Sequence, residues 1–207
     1  GNLAVGHCSL YASVTSNNNV AVGDEAIRNN TTGASNVGVG AHALIINTEG
    51  AHNQAMGTEA LKSNTTGCKN IGIGTEALRT NSTGCGNIAV GYLAMYSHGT
   101  AGLNTAVGNC AMYNNTGANN TGLGENALYG NTGGLFNVGL GSTAGYSNTD
   151  GDYNVFVGRR AGGYLVDGTT GLTSPDNSIY IGAETRGLAV GDSNVTVIGY
   201  CACACGD

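Results

Sequence analysis

Asn70-Ile71-Gly72-Ile73-Gly74-Thr75-Glu76-Ala77-Leu78-Arg79-Thr80-Asn81-Ser82-Thr83-Gly84-Cys85-Gly86 is followed at once by Asn87-Ile88-Ala89-Val90-Gly91, where the same phrase begins again. Its fifth residue sets the period. Gly6, Gly23, Gly40, Gly57, Gly74, Gly91 and Gly108 stand 17 residues apart, and Gly124 follows after 16. Gly141 and Gly158 resume the step of 17, Gly182 comes after 24, and Gly199 is again 17 further on. Repetition this strict belongs to a repeat architecture and not to a disordered, low-complexity chain.

The consensus is Asn-x-Ala-Val-Gly-x-x-Ala-Leu-x-x-Asn-Thr-Thr-Gly-x-x. Val, Ile, Leu or Met precedes every anchor glycine, and Ala or Gly usually precedes that, as in Ala21, Gly38 and Ala55. Asn-x-Ala-Val-Gly is too short for a helix and β-favouring at its centre, so it reads as a short strand that the glycine ends. Ala-Leu reads as a second brief extended or turning segment. Asn-Thr-Thr-Gly reads as a turn, in which Asn bonds its own backbone and Gly accepts positive φ. One unit then holds two short strands and two bends. It cannot bury its apolar residues alone, but a stack of units can, with Val on Val and Leu on Leu. A helical repeat would use runs such as Glu25-Ala26-Ile27-Arg28 and Glu59-Ala60-Leu61-Lys62, which last one turn between glycines and are too short to hold.

The expected fold is therefore all-β: a parallel β-solenoid, or β-roll, of about twelve 17-residue coils. Residues 1–163 form the regular repeats, 164–177 an inserted loop, 178–200 the last two coils and 201–207 a cysteine-rich tail. The chain opens at Gly1 inside a repeat, as a fragment or processed product would.

The composition limits what such coils can do alone. Among 207 residues there are 2 Phe and no Trp, so each coil offers one Val-type residue, one Leu-type residue and one or two Ala. That core is thin, and the strand carries small or apolar residues on both faces, which calls for a partner on both. Another copy of the chain is the expected partner, with the Ala/Gly column as the interchain seam. The net charge of −6, with 7 basic residues, speaks against nucleic acid, which needs a basic patch. No signal-peptide pattern and no apolar run approaching ~20 residues is visible, so no membrane insertion by this segment is expected.

Asn87-Ile88-Ala89-Val90-Gly91 and Asn104-Thr105-Ala106-Val107-Gly108 resemble the Asn-x-Ala-Ile/Val-Gly motif of trimeric autotransporter adhesin heads. The longer unit ending Asn-Thr-Thr-Gly is similar to repeat regions of phage and giant-virus fibre proteins. The resemblance covers about residues 1–200 and implies a homotrimer wound about a common axis. Those heads use a somewhat shorter repeat, which is a departure here, and their membrane anchor and self-cleaving chaperone domain are not part of this sequence.

Candidate chemistry is sparse. Cys68 and Cys85, 17 apart, fall at one phase of adjacent coils, as a disulfide or as two small buried side chains in register. Cys201, Cys203 and Cys205 alternate, which in an extended tail places all three on one face. Interchain disulfides are the first reading, a metal cluster the second, although zinc spacing is Cys-x₂₋₄-Cys. A loose tail with free thiols is the third. Asp150 and Asp152 sit in an alternating oxygen-donor run, as in a calcium loop without its closing Glu, or in an ordinary turn. Tyr92, Tyr96, Tyr113, Tyr129, Tyr146 and Tyr153 concentrate in the second half and could stack on sugars or serve cross-strand packing. Sequons at Asn29, Asn30, Asn64, Asn81, Asn114, Asn119 and Asn194 coincide mostly with the turn motif. No catalytic set is present, the acidic residues are scattered, and no enzyme activity is expected.

The expected function is a structural extracellular fibre or adhesin segment on a cell or virion surface. Its expected partners are itself and host-surface glycans or receptors. The alternative is a self-assembling filament subunit, stacked end to end and cross-linked through cysteines.

Overall fold

The computed structural model describes residues 1–204; Cys205, the last of the tail thiols, lies outside the described residues. The chain is all-β, with twelve parallel strands forming a β-solenoid of about twelve turns. Two compact units divide it, Gly1–Leu103 and a second that begins at Asn104.

In the first unit β1 (Leu3–Val5), β2 (Val20–Val22), β3 (Val37–Val39), β4 (Gln54–Met56), β5 (Ile71–Ile73) and β6 (Ile88–Val90) pair in chain order. The register shifts by one whole repeat, as in Ala55↔Gly72 and Met56↔Ile73. In the second unit β7 (Thr105–Val107), β8 (Thr121–Leu123), β9 (Val138–Leu140), β10 (Val155–Val157), β11 (Ile179–Ile181) and β12 (Thr196–Ile198) pair likewise. The long step between β10 and β11 pairs Phe156 with Tyr180, so the insertion bulges out without changing the register.

Each coil has one strand and not the two expected. The Ala-Leu segment is a run of turns. In the fourth coil Ala60 N–H donates to Gly57 O (3.2 Å), Lys62 N–H to Glu59 O (3.3 Å) and Asn64 N–H to Leu61 O (3.1 Å). Glu59 (φ 57°) and Leu61 (φ 50°) occupy the left-handed region, the third position of a type II turn. Alternate left-handed residues forbid both helix and strand there. They also aim the intervening amides along the stack: Leu61 N–H reaches Ala77 O at 2.9 Å and Ser63 N–H reaches Arg79 O at 3.0 Å. Left-handed non-glycine residues cost about 1–2 kcal/mol each, so these ladder bonds must offset a recurrent strain.

The core differs from expectation in its membership. From Ala21 onward the residue two before the anchor is buried, whereas its neighbours one and three before the anchor face outward. The Ala/Gly column is therefore the inside wall of each coil and not an interchain seam, and the Val column lies outside. The reason is room. Opposite the small residue stands the buried Leu, Ile or Met four after the anchor. A Cβ on Gly38 would meet Ile27 Cγ1 at 2.6 Å, and one on Gly122 would meet Met112 Cγ at 2.8 Å. Towards the end of the chain the sizes exchange places. Phe156 and Tyr180 take the small position, while Gly145 and Gly162 take the large one. A Cβ on Gly145 would lie 2.6 Å from Phe156 Cδ2.

Two asparagine columns complete the interior. Four residues before the anchor, Asn36 N–H donates to Asn19 Oδ1 (2.8 Å) and Asn53 N–H to Asn36 Oδ1 (2.9 Å). At the turn, Asn64 Nδ2 donates to Asn47 Oδ1 (2.7 Å) and Asn81 Nδ2 to Asn64 Oδ1 (2.9 Å). Both columns meet at the turn glycine, whose carbonyl accepts from each: Gly67 O takes Asn53 Nδ2 (2.8 Å) and Asn64 Nδ2 (2.9 Å). That glycine does not have the positive φ expected of it. It is glycine because a Cβ on Gly67 would lie 2.3 Å from Asn64 Oδ1 and 2.5 Å from Gly84 O. His98 interrupts the turn column, giving Ala101 O an Nε2 contact at 3.0 Å, and Asn81 Oδ1 is left with no partner among the described residues. Asn64→Ala should strand Asn47 Oδ1 in a dry interior and cost ~2–3 kcal/mol of unfolding free energy. Urea denaturation checks this, and a loss below ~1 kcal/mol would show that the ladder bonds are replaceable.

Candidate functional site

Three surfaces follow from the coil. The first is the strand face. Residues one and three before each anchor point outward as two parallel columns, Val37 and Val39, Ile71 and Ile73, Ile88 and Val90 in the first unit, Val138 and Leu140, Val155 and Val157, Ile179 and Ile181 in the second. Ile73 and Ile88 are 38% and 37% exposed. At the ~4.8 Å strand step and ~6.8 Å across a residue pair, the columns of six strands present roughly 200 Å² per unit, a continuous apolar stripe rather than scattered single residues. Gln54, Thr105, Thr121 and Thr196 are the polar exceptions within the columns.

The second is the turn face. In three coils of the first unit the positions two and five after the anchor carry opposite charges, Glu25 and Arg28, Glu59 and Lys62, Glu76 and Arg79. Glu59 accepts from Lys62 Nζ at 2.7 Å and from Arg79 Nε at 2.8 Å, and Arg79 also lies 3.4 Å from Glu76. Arg79 Nη1 donates to Tyr96 OH at 3.0 Å, with Cζ 5.4 Å from the ring centroid. The Lys62 and Arg79 hydrogen bonds hold the Glu59 carboxyl down at about 2, below its ordinary 4.5. A carboxyl depressed in the folded chain adds stability that is complete above its unfolded value and fades as pH falls from about 5 towards 2. Glu59→Gln should therefore remove ~1 kcal/mol at neutral pH and flatten the acid limb of the stability curve. Thermal midpoints of both chains at pH 7 and pH 3 test this; equal differences at the two values would refute it.

Of the tyrosines singled out, Tyr96, Tyr113, Tyr129 and Tyr146 share the column five after the anchor. In the second unit Tyr113, Tyr129 and Tyr146 stack at 5.2 Å centroid spacing, tilted 11° and 12°. Burial pushes the Tyr146 phenol upward. Tyr153 stands elsewhere, stacked on Phe136 at 4.9 Å. Tyr92 is exposed next to its anchor. The six do not form one face.

Cys68 and Cys85 are brought together, with Sγ atoms 2.9 Å apart and Cys68 N–H donating to Cys85 Sγ at 3.1 Å. They are thiols here, beyond the ~2.05 Å of a disulfide. The bond to Cys85, with burial, pushes the Cys68 thiol up, away from the reactive thiolate. Cys201 and Cys203 are exposed, but at Cys201 the chain is not extended. Cys201 has φ 52°, and Cys203 forms a parallel bridge with Arg186 that continues the stack. The Asp150 carboxylate accepts from Thr132 and Thr149 hydroxyls, and Asp152 Oδ1 accepts from Leu135 N–H at 2.7 Å. Among the described residues no three His, Cys, Asp or Glu side chains converge on a metal position. The sequon residues Asn30, Asn64 and Asn81 are wholly buried in the ladder, and a glycan cannot reach them in the folded chain.

The third surface escaped the sequence reading. Beside the insertion Arg160, Tyr164, Gly168, Glu184 and Arg186 line a cavity of about 210 Å³. Only the pairing of a repeat break with neighbouring arginines could have signalled it. Comparison with protein-family models, curated proteins and solved structures finds no match to the chain.

Proposed function

We propose that the chain is a segment of an extracellular fibre that assembles with copies of itself, as a homotrimer about a common axis, and serves attachment at a cell or virion surface. The observation that carries this is the pair of outward apolar columns. A sheet face of Val, Ile and Leu gains ~25 cal/mol per Å² when covered, and identical columns on another copy match its spacing coil for coil. Three as the number of chains is supported by the adhesin-like Asn-x-Ala-Val-Gly motif. The short polar and charged turn faces then remain as the outside of the fibre.

Light scattering on the chain, and on an Ile73→Glu/Ile88→Glu variant, tests the reading. The parent should have the mass of three chains, and the variant should dissociate to single chains while keeping its β signal in circular dichroism. A folded parent that is monomeric would overturn self-assembly through this face. Long filaments of indefinite mass that reductant disperses would replace it with end-to-end stacking cross-linked by the tail cysteines.

A further inference from the structure

Where the 17-residue step is broken, side chains meet that regular coils keep apart. The insertion folds back on itself: Tyr164 bridges Gly171, Leu165 N–H donates to Thr170 O at 2.8 Å, and Leu172 fills the coil interior. Arg160 comes from the coil before the insertion and Arg186 from the coil after it. Gly168 passes so close to the Arg186 guanidinium that a Cβ there would lie 3.2 Å from Nη1. Arg186 Nη1 donates to Val166 O at 3.3 Å. The guanidinium is thus positioned by the loop backbone and not by a counter-ion.

The charge balance at this place is unusual for the molecule. The chain carries 7 basic residues at net charge −6, and three of them, Arg159, Arg160 and Arg186, lie here. Arg159 pairs with Glu184 and neutralises it. Among the described residues neither Arg160 nor Arg186 has a carboxylate partner. The Asp167 carboxylate, on the same loop, is taken up by Thr169 N–H and Thr170 N–H, both at 2.8 Å, and by the Thr170 hydroxyl.

Guanidinium forks favour planar or tetrahedral oxyanions. Tyr164 adds a ring face with a hydroxyl, and the neutralised Glu184 adds acceptors for hydroxyl groups. We propose that this cavity binds one acidic sugar residue, its carboxylate or sulfate ester held by Arg160 and Arg186, its hydroxyls by Glu184 and its ring against Tyr164. At about 210 Å³ the cavity is below the ~300 Å³ of drug-sized sites, which suits a single residue at a chain end. The proposal rests on the surface-attachment reading for its setting, since glycan-coated surfaces are where such residues are met.

The test is titration of the full chain with sodium glucuronate, glucose 6-sulfate, inorganic sulfate and glucose, followed by saturation-transfer NMR. At least one acidic sugar should bind saturably while glucose does not, and the preference between the two identifies the anion. Arg160→Gln and Arg186→Gln should each weaken binding about ten-fold or more, as loss of a charge-assisted hydrogen bond does. Arg28→Gln, on the first unit, should leave it unchanged. Arg160 is exposed, so its variant keeps the fold even if the Arg186 variant does not. Binding of neither acidic sugar, equal response to glucose, inorganic sulfate binding as tightly as the sugars, or indifference to Arg160→Gln would each overturn the proposal. Solution mass measured on the same samples separates the two readings: three chains without binding refutes the cavity alone, and binding by single chains refutes the trimer alone.

Discussion

Gly74→Ala is expected to cost ~3–5 kcal/mol and to disrupt the stack at the fifth coil. Gly74 sits at φ 128°, outside what a residue with a Cβ adopts comfortably, which alone costs ~1–3 kcal/mol. The added methyl would also lie 2.4 Å from Gly91 O and 2.7 Å from its carbonyl carbon. Those atoms are backbone, fixed by Gly91 N–H on Ile73 O and Gly74 N–H on Met56 O, both at 2.8 Å. Relief requires parting the coils and lengthening these bonds, an overpacking cost of another ~1–3 kcal/mol. Gly199 supplies the comparison. It has φ 131°, but its nearest neighbour to a new Cβ is the Ala202 methyl at 3.6 Å. Gly199→Ala should therefore show the backbone cost without the clash. The neighbour Thr75→Ala should stay within ~0.5 kcal/mol of the parent. Urea denaturation of the three variants measures all of this, and equal losses for Gly74→Ala and Gly199→Ala would disprove the close approach between coils.

Replacing Phe156 by alanine is expected to cost ~3–5 kcal/mol, as an emptied aromatic site usually does. The informative step is the repair. In the regular coils Leu128 or Met112 sits across from Gly139 or Gly122, whereas Phe156 sits across from Gly145 and Gly162. Gly145 has φ 59°, close to the 50° of Leu128 and 52° of Leu44, so a leucine there meets a backbone that leucines already occupy elsewhere. Gly145→Leu in the parent should be destabilising, with its Cβ 2.6 Å from Phe156 Cδ2. Combined with Phe156→Ala it should recover more than half of the loss, a coupling within the ~0.5–3 kcal/mol seen for touching residues. Strictly additive losses in a double-mutant cycle would show that the two positions do not share one volume.

The period, the strand and the stacking were legible because they depend on spacing alone. Gly74 and its equivalents mark where coils touch, and any alignment on them finds the strands. What faced inward was not legible from the same spacing. Ile73 and its equivalents would suit a core by hydrophobicity, yet the coil is too narrow for a branched residue opposite Leu61, and Gly72 takes the inner place. The pattern held a clue in the exchange of Phe156 and Tyr180 for Gly145 and Gly162, since compensating sizes belong to residues in contact. The Ala-Leu segment misled because propensity describes neither strand nor helix at alternating left-handed residues such as Glu59 and Leu61. Asn64 shows its turn role in the sequence; its second role, donating to the equivalent residue one coil back, exists only once coils are stacked. The arginine cavity depends on how a non-repeating loop folds, which the repeat cannot state.

The exchange of large and small residues around Phe156 has a further consequence for how the chain finds its fold. A stack of near-identical coils is open to phase errors, because a coil displaced by one whole repeat meets the same Asn, Leu and Gly partners and loses little. Phe156 removes that freedom locally. Seated one coil out of place, its ring would fall where the chain offers Leu128, which leaves no room even for a methyl on Gly139. The aromatic pair thus acts as an address within an otherwise repetitive message, raising the energy of shifted arrangements and leaving one of them at the bottom of the funnel.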